Sequence, residues 1–156
     1  IRYGGTVPED MVAQRLSADV RWVVAASPEY LARFGEPRHP NDLHQHRCVS
    51  NRLGNNRIYK WEFERGEEQL TVKVPPLLTV DLAETGVVAI LQGFGLMYLP
   101  EPLIAEHVSA GRLRLVLTDW ASYGPGFYIY YSSRHQLPTG LRLLISLVRE
   151  MKPLGL

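Results

Sequence analysis

The 156-residue chain has one cysteine, Cys48. A single thiol cannot build an internal disulfide framework, and so sparing a use of cysteine suits a reducing compartment. No apolar run approaches the roughly 20 residues of a membrane-spanning helix, and no signal peptide opens the chain. These absences predict a cytoplasmic protein with no membrane partner. An excess of one charge is missing as well: 17 Lys and Arg face 16 Asp and Glu, for a net charge of +1. That balance gives no general attraction to nucleic acid or to anionic lipid. The basic residues are scattered singly, without a recognition-helix pattern or an aromatic platform for RNA.

Motifs that carry catalysis are equally scarce. There is no Gly-x-Ser-x-Gly elbow for a serine nucleophile and no phosphate-cradling glycine loop with its lysine. Ser132, Ser133 and His135 are neighbours on one loop, an arrangement that rarely makes a triad. Glu62 and Glu64 alternate with Trp61 and Phe63, which predicts that they face solvent rather than form an acid–base pair. His39, His44 and His46 lie close together, but no separated second pair of ligands accompanies them. Cys48 falls in a short strand and reads as a small apolar residue. A reactive thiol would need exposure and a base, for which only His46 is near. The reading is of a protein that is not an enzyme, with no cofactor and no metal.

What the chain does contain is an α/β pattern. With 46% hydrophobic and 21% charged residues it can bury one core, or two small lobes. It begins with Ile1 in a strand-like stretch, which predicts a piece of a longer protein. Residues 77–100, LLTVDLAETGVVAILQGFGLMYLP, combine a strand, a helix and a second strand. Leu77, Leu78 and Val80 form the first strand, and Asp81 with Glu84 reads as a capping box. Val87, Val88, Ile90 and Leu91 supply an apolar helical face, Gly93 and Gly95 end the helix, and residues 96–99 form a buried strand closed by Pro100. A βαβ unit implies a parallel sheet with ligands at its carboxyl edge, where Asp81 would lie; a plain helix cap is the alternative.

Around that unit, residues 20–26 (VRWVVAA) read as a buried strand leading to a Ser27-Pro28 helix start that runs to Gly35. Residues 6–16 read as irregular, with a short helix near Pro8. Residues 47–51 form a short strand, and residues 59–64 and 69–74 a hairpin about Gly66. Residues 101–110 read as a helix and 112–117 as a strand, followed by a loop over 119–126. A strand over 127–131 precedes an amphipathic helix over 138–151, with Leu141, Leu144, Ile145 and Val148 on one face. Trp61, Tyr128 and Tyr130 are expected in packing roles. Alternating strands and helices with one hairpin give an α/β protein with mixed sheets.

Several segments, in order, resemble LysR-type transcriptional regulators. VVAASPEYLARFGEPRHPNDLHQHRCV is similar to that family's Ala-Ser-Pro-x-Tyr-Leu helix start, Pro-x-x-Pro-x-Asp-Leu segment and His-Arg-Cys strand. WEFERGEEQLTVKV resembles its tryptophan hairpin, LLTVDLAE followed by LQGFGLMYLP its Asn-Asp helix and Gly-x-Gly strand, and GRLRLVLTDW with IYYSSRHQLPTGLRLLISLVRE its closing strand and last helix. The resemblance implies an effector-sensing domain of type II periplasmic-binding-protein-like fold, two lobes with mixed sheets and the first lobe incomplete. Residues 1–21 and 128–156 would be the partial first lobe and 22–127 the second, with 20–26 and 127–131 as crossover strands. A small-molecule effector would bind in the inter-lobe cleft against Arg2, Tyr3 and Gly4 from one side and Asn51, Arg52, Asp81 and Leu82 from the other. Arg2 and Arg52 would grip a carboxylate.

The resemblance also implies a dimer or tetramer formed through regulatory domains, and DNA contact only through a helix-turn-helix domain not found in this chain. One departure stands out: Asp81-Leu82 occupies the place of the family's Asn-Asp. A carboxylate there disfavours an anionic ligand group unless an arginine offsets it, so the effector should carry a donor near Asp81, or Asp81 should serve only as a cap. A solute-binding protein of a transporter with the same fold is the alternative function.

Overall fold

A computed structural model describes residues 2–3, 9–52, 56–132 and 137–151, with side chains from residue 9 onward. The chain divides into two compact units, Ile1–Val20 with Tyr123–Leu156, and Arg21–Ser122. It therefore passes from one unit to the other twice.

In chain order the elements are β1 (Arg2–Tyr3), β2 (Met11–Arg15), β3 (Val20–Ala26), α1 (Pro28–Phe34), β4 (Cys48–Asn51), β5 (Trp61–Arg65) and β6 (Glu68–Val72). They continue with β7 (Pro76–Val80), α2 (Ala83–Leu91), β8 (Leu96–Pro100), α3 (Ala105–Ser109), β9 (Arg114–Val116), β10 (Ser122–Gly124), β11 (Phe127–Ser132) and α4 (Thr139–Met151). Three differences from the sequence reading stand out. The stretch expected to be irregular before Leu16 contains strand β2, because β11 offers it an antiparallel partner from Arg15 to Met11, while Pro8, the expected place of a short helix, lies outside the described residues. The helix expected over 101–110 breaks at Ile104, with a 3-10 turn Glu101–Leu103 before α3. Within the expected 119–126 loop, Ser122–Gly124 is strand.

The smaller unit is a three-stranded antiparallel sheet in the order β1-β11-β2. Leu16, Ile129 and Ile145 form its buried centre, with Leu141 and Val148 of α4 against it. Leu144 stays on the margin, 44% exposed, because the contact stripe on α4 follows the i, i+4, i+7 positions 141, 145 and 148.

In the larger unit the strands run β3-β8-β4-β7, with β9 also paired to β3. β4 is parallel to both β7 and β8. The β7-α2-β8 unit is thus split, with β4 inserted between its two strands. Because β4 is covered on both faces, Cys48, Val49 and Ser50 are fully buried. α2 lies on this sheet through Val87 and Ile90, next to Met97, Leu99, Ile104 and Leu113. Val88, one position off that stripe, is 60% exposed. Gly95 is required where β8 begins, since a Cβ there would collide with the Arg47 carbonyl that accepts the Leu96 amide. The expected hairpin forms as β5 and β6, with Gly66 at φ 61° in the turn and Trp61 and Phe63 buried.

Local caps follow the sequence. The Ser27 hydroxyl accepts the Tyr30 amide and Pro28 opens α1. The Asp42 carboxylate accepts the Arg38 and His39 amides, both at 2.9 Å. Those two donors hold the Asp42 pKa below the usual carboxylate range.

Two predictions follow from this packing. Ile90→Ala should lower unfolding free energy by about 2–5 kcal/mol in a urea titration, the cost of a cavity in a fully buried site. The stability contributed by Asp42 is present above its unfolded pKa of about 3.9 and is lost as pH falls through its lower folded value. Asp42→Asn should therefore destabilise the chain at neutral pH, and its deficit relative to the parent should shrink in melts below about pH 4.

Candidate functional site

The carboxyl ends of β4 and β7 finish side by side. Asn51 is in register with Val80, and the Arg52 amide donates to the Val80 carbonyl at 2.8 Å. Parallel pairing thereby brings Asn51, Arg52, Asp81 and Leu82 to one end of the sheet. Of the other expected site residues, Arg2 and Tyr3 are on β1, paired in backbone register with Tyr128 and Phe127. Their side chains, and Gly4 altogether, lie outside the described residues.

The capping box expected at Asp81 and Glu84 does not form. α2 begins at Ala83, with Leu82 as its extended N-cap residue and no side-chain hydrogen bond to the first turn. Asp81 is one position too early to reach those amides. Its carboxylate turns instead to Arg52, with Oδ1 3.6 Å from Nε, and stays 78% exposed. An ion pair so open to water contributes at most about 1 kcal/mol. Its effect is electrical: Arg52 offsets the charge of the Asp81 carboxylate. The first-turn amides of α2 keep the partial positive charge of a helix N-terminus.

Polar groups cluster behind this pair. Ser50 Oγ and Asn51 Oδ1 are buried and have no hydrogen-bond partner among the described residues. Each such group costs on the order of 1–3 kcal/mol, an amount that any bound donor or acceptor reduces. Arg52 Nη1 donates to Asn56 Oδ1 at 3.4 Å, while Leu82 is 65% exposed beside Asp81. This end of the sheet therefore presents a cation, a carboxylate and an exposed apolar side chain, and holds a buried Ser50 hydroxyl and Asn51 side-chain oxygen without partners among the described residues.

An aromatic wall adjoins these residues that motif reading did not associate with them. The Tyr59 amide donates to the Asn51 carbonyl at 2.9 Å, and the Tyr59 ring stacks on Trp22 at 5.2 Å. Tyr98 lies 5.0 Å from Trp22, and its hydroxyl donates to the Glu62 carbonyl. Tyr59 precedes the hairpin in sequence, so period-two patterning linked it to Trp61 rather than to Asn51. The non-local bridge between Arg52 and Ile58 makes the connection.

The histidines and the cysteine serve separate contacts. His46 Nδ1 is 3.2 Å from the Tyr30 hydroxyl, and burial lowers the His46 pKa while raising that of Tyr30. His39 Nδ1 accepts the Asn41 amide, and its ring meets Trp120 edge-on. Among the described residues no three His, Cys, Asp or Glu side chains gather to hold a metal ion, and no helix is long and apolar enough to cross a membrane. Cys48 is buried in β4, and desolvation pushes its thiol up to about 12.

A sheet with helix α2 over its split parallel strands, polar groups at their carboxyl ends, and a second unit of sheet and helix make this an α/β protein of two units. The family model for the LysR substrate binding domain matches residues 1–153, and the chain belongs to that family. It is similar to a transcriptional regulator of Pseudomonas aeruginosa, 35% identical over 156 residues, covering 99% of this chain and 51% of that protein. It is also 37% identical over 149 residues to the HTH-type transcriptional regulator YcaN of Escherichia coli K12, covering 96% of the chain and 48% of that protein. The chain thus spans about half the length of the curated relatives it matches.

Among solved structures, the regulatory domain of CrgA, a LysR-type transcriptional regulator from Neisseria meningitidis, aligns with TM-score 0.82 at 26% identity, covering 96% of this chain and 72% of that one. The regulatory domain of AphB from Vibrio vulnificus has the same fold, with TM-score 0.77 at 24% identity, covering 96% and 73%. The expected family and fold are those found, as is the role of an effector-binding regulatory domain, and the transporter alternative is not favoured.

The raised thiol pKa carries a direct test. At pH 8 Cys48 should resist alkylation by iodoacetamide in the folded chain and take up one equivalent in denaturant, as read by mass spectrometry.

Proposed function

We propose that this chain senses a small molecule at the carboxyl ends of β4 and β7, on behalf of a transcriptional regulator. The observation that carries the proposal is the meeting of Asn51, Arg52 and Asp81 beside the uncapped first turn of α2. Arg52 suits a carboxylate, and Asp81 accepts from an amino or hydroxyl group on the same molecule. The effector is accordingly a small acid that also carries a donor. In this reading Arg21–Ser122 is the second lobe, and Ile1–Val20 with Tyr123–Leu156 is the later part of the first.

Binding alters output only through unequal affinity for two arrangements of the regulator. The parent protein would be a cytoplasmic dimer or tetramer without enzymatic activity, touching DNA through a helix-turn-helix domain and meeting no membrane. Support for this comes from relatives that are themselves transcriptional regulators.

The test is calorimetric titration with small carboxylic acids, each with and without an amino or hydroxyl group. Arg52→Ala should weaken the best binder at least about tenfold, the scale of one charge-assisted hydrogen bond. Asp81→Asn should reduce the preference for donor-bearing acids. Unchanged affinity in both variants would exclude this site.

A further inference from the structure

The hydroxyl of Tyr30 sits where three elements of the larger unit meet. Tyr30 lies in α1 and is 1% exposed. The Arg47 amide donates to its oxygen at 3.0 Å, and His46 Nδ1 lies 3.2 Å away. His46 closes the 3-10 turn Pro40–Gln45, and β4 opens at Cys48. The Arg47 carbonyl in turn accepts the Leu96 amide, with which β8 begins. One phenol thus ties α1 to the chain entering β4, at the residue from which β8 also starts.

The hydrogen-bond donors around this phenol fix the state of His46. A backbone amide only donates, so towards Arg47 the Tyr30 oxygen is an acceptor. Its own proton then needs an acceptor, and the other partner of the hydroxyl among the described residues is His46 Nδ1. Nδ1 therefore carries no hydrogen, and the imidazole is neutral with its proton on Nε2. A second proton on the ring would occupy Nδ1 and meet the hydroxyl proton head-on. The hydroxyl would have to turn away, leaving a buried donor without an acceptor.

The surrounding charges do not reverse this preference. Asp42, on the 3-10 turn, favours the imidazolium, but its carboxylate is already engaged by the Arg38 and His39 amides. On the β4 side stand the Arg47 guanidinium, 4.7 Å over the Phe34 ring, and the buried Cys48 thiol, 3.7 Å from the His46 carbonyl. On the α1 side stand the Tyr30 and Phe34 rings, with the Arg33 guanidinium against Phe34. Burial outweighs Asp42 and lowers the His46 pKa.

We propose that Tyr30 and His46 form an acid-released latch, in which neutral His46 fastens α1 to the entry of β4 and a proton on Nδ1 frees it. The contribution of the latch is complete above about pH 6.5, the ordinary histidine pKa, and is lost as pH falls from there through the lower folded value. This response to mild acid needs no ligand and is independent of the effector reading.

The test is NMR of the full chain between about pH 4.5 and 8. Long-range ¹H–¹⁵N spectra should show His46 as the Nε2–H tautomer at neutral pH, with a titration midpoint below about 6.5. Tyr30→Phe should move that midpoint upward, because the neutral ring loses its donor; burial alone would leave it in place. Hydrogen exchange at the Arg47 amide, corrected for intrinsic rates, should lose protection on acidification. The full loss should equal ten raised to the gap between about 6.5 and the measured midpoint. His46→Asn keeps an acceptor that does not titrate, so its protection should stay level with pH, and it decides the matter even where Tyr30→Phe does not fold. An Nδ1–H tautomer, a midpoint at or above 6.5, a midpoint unmoved in Tyr30→Phe, or the same loss of protection in His46→Asn would each overturn the proposal.

Discussion

Parallel pairing of β4 with both β7 and β8 is the constraint on which the larger unit rests. A strand buried on both faces must satisfy its backbone groups from both neighbours and fill its pockets with small or apolar side chains. Cys48, Val49 and Ser50 meet that demand. Insertion of β4 also spaces β7 and β8 so that α2 can lie over it through Val87 and Ile90. Without that placement, the residues after β4 and those after β7 would be distant stretches of chain. With it, Arg52 and Asp81 are 3.6 Å apart at their nearest atoms.

Much of this architecture was legible because local and global preferences agree. Ser27-Pro28 starts α1 where a hydroxyl cap and a pre-set φ suit a helix, and Gly66 turns the hairpin where a positive φ is needed. The missed strands share a cause, which is non-local pairing. β2 carries no strong pattern, since its residues are half-buried or exposed, and it becomes a strand only because β11 lies beside it. The exposed flank of β7 was hidden for the same reason. Leu77 and Leu78 belong to an apolar run, yet they are exposed on the last strand of the sheet, where only one side is paired.

The site was legible to a similar depth. Asn51, Arg52, Asp81 and Leu82 lie at one end of the sheet, but the role of Asp81 depended on a single residue of phase. Helix α2 starts at Ala83, so a carboxylate at position 81 cannot cap it and is available to Arg52. Sequence spacing resolves helix starts only to within a residue or two, and here that margin separates a structural role from a chemical one. Tyr59 escaped detection because its link to Asn51 is a backbone hydrogen bond across a bridge, which leaves no mark in residue type.

The stacking of Trp22 on Tyr59 has an optical consequence. An indole within 5.2 Å of a phenol ring, with a second phenol at 5.0 Å, emits according to how that trio is arranged. Because the backbone of Tyr59 is tied to Asn51, a displacement at that end of β4 would be carried into the fluorescence of a tryptophan rooted in β3. The domain thus contains its own spectroscopic gauge, and no label need be attached to watch it.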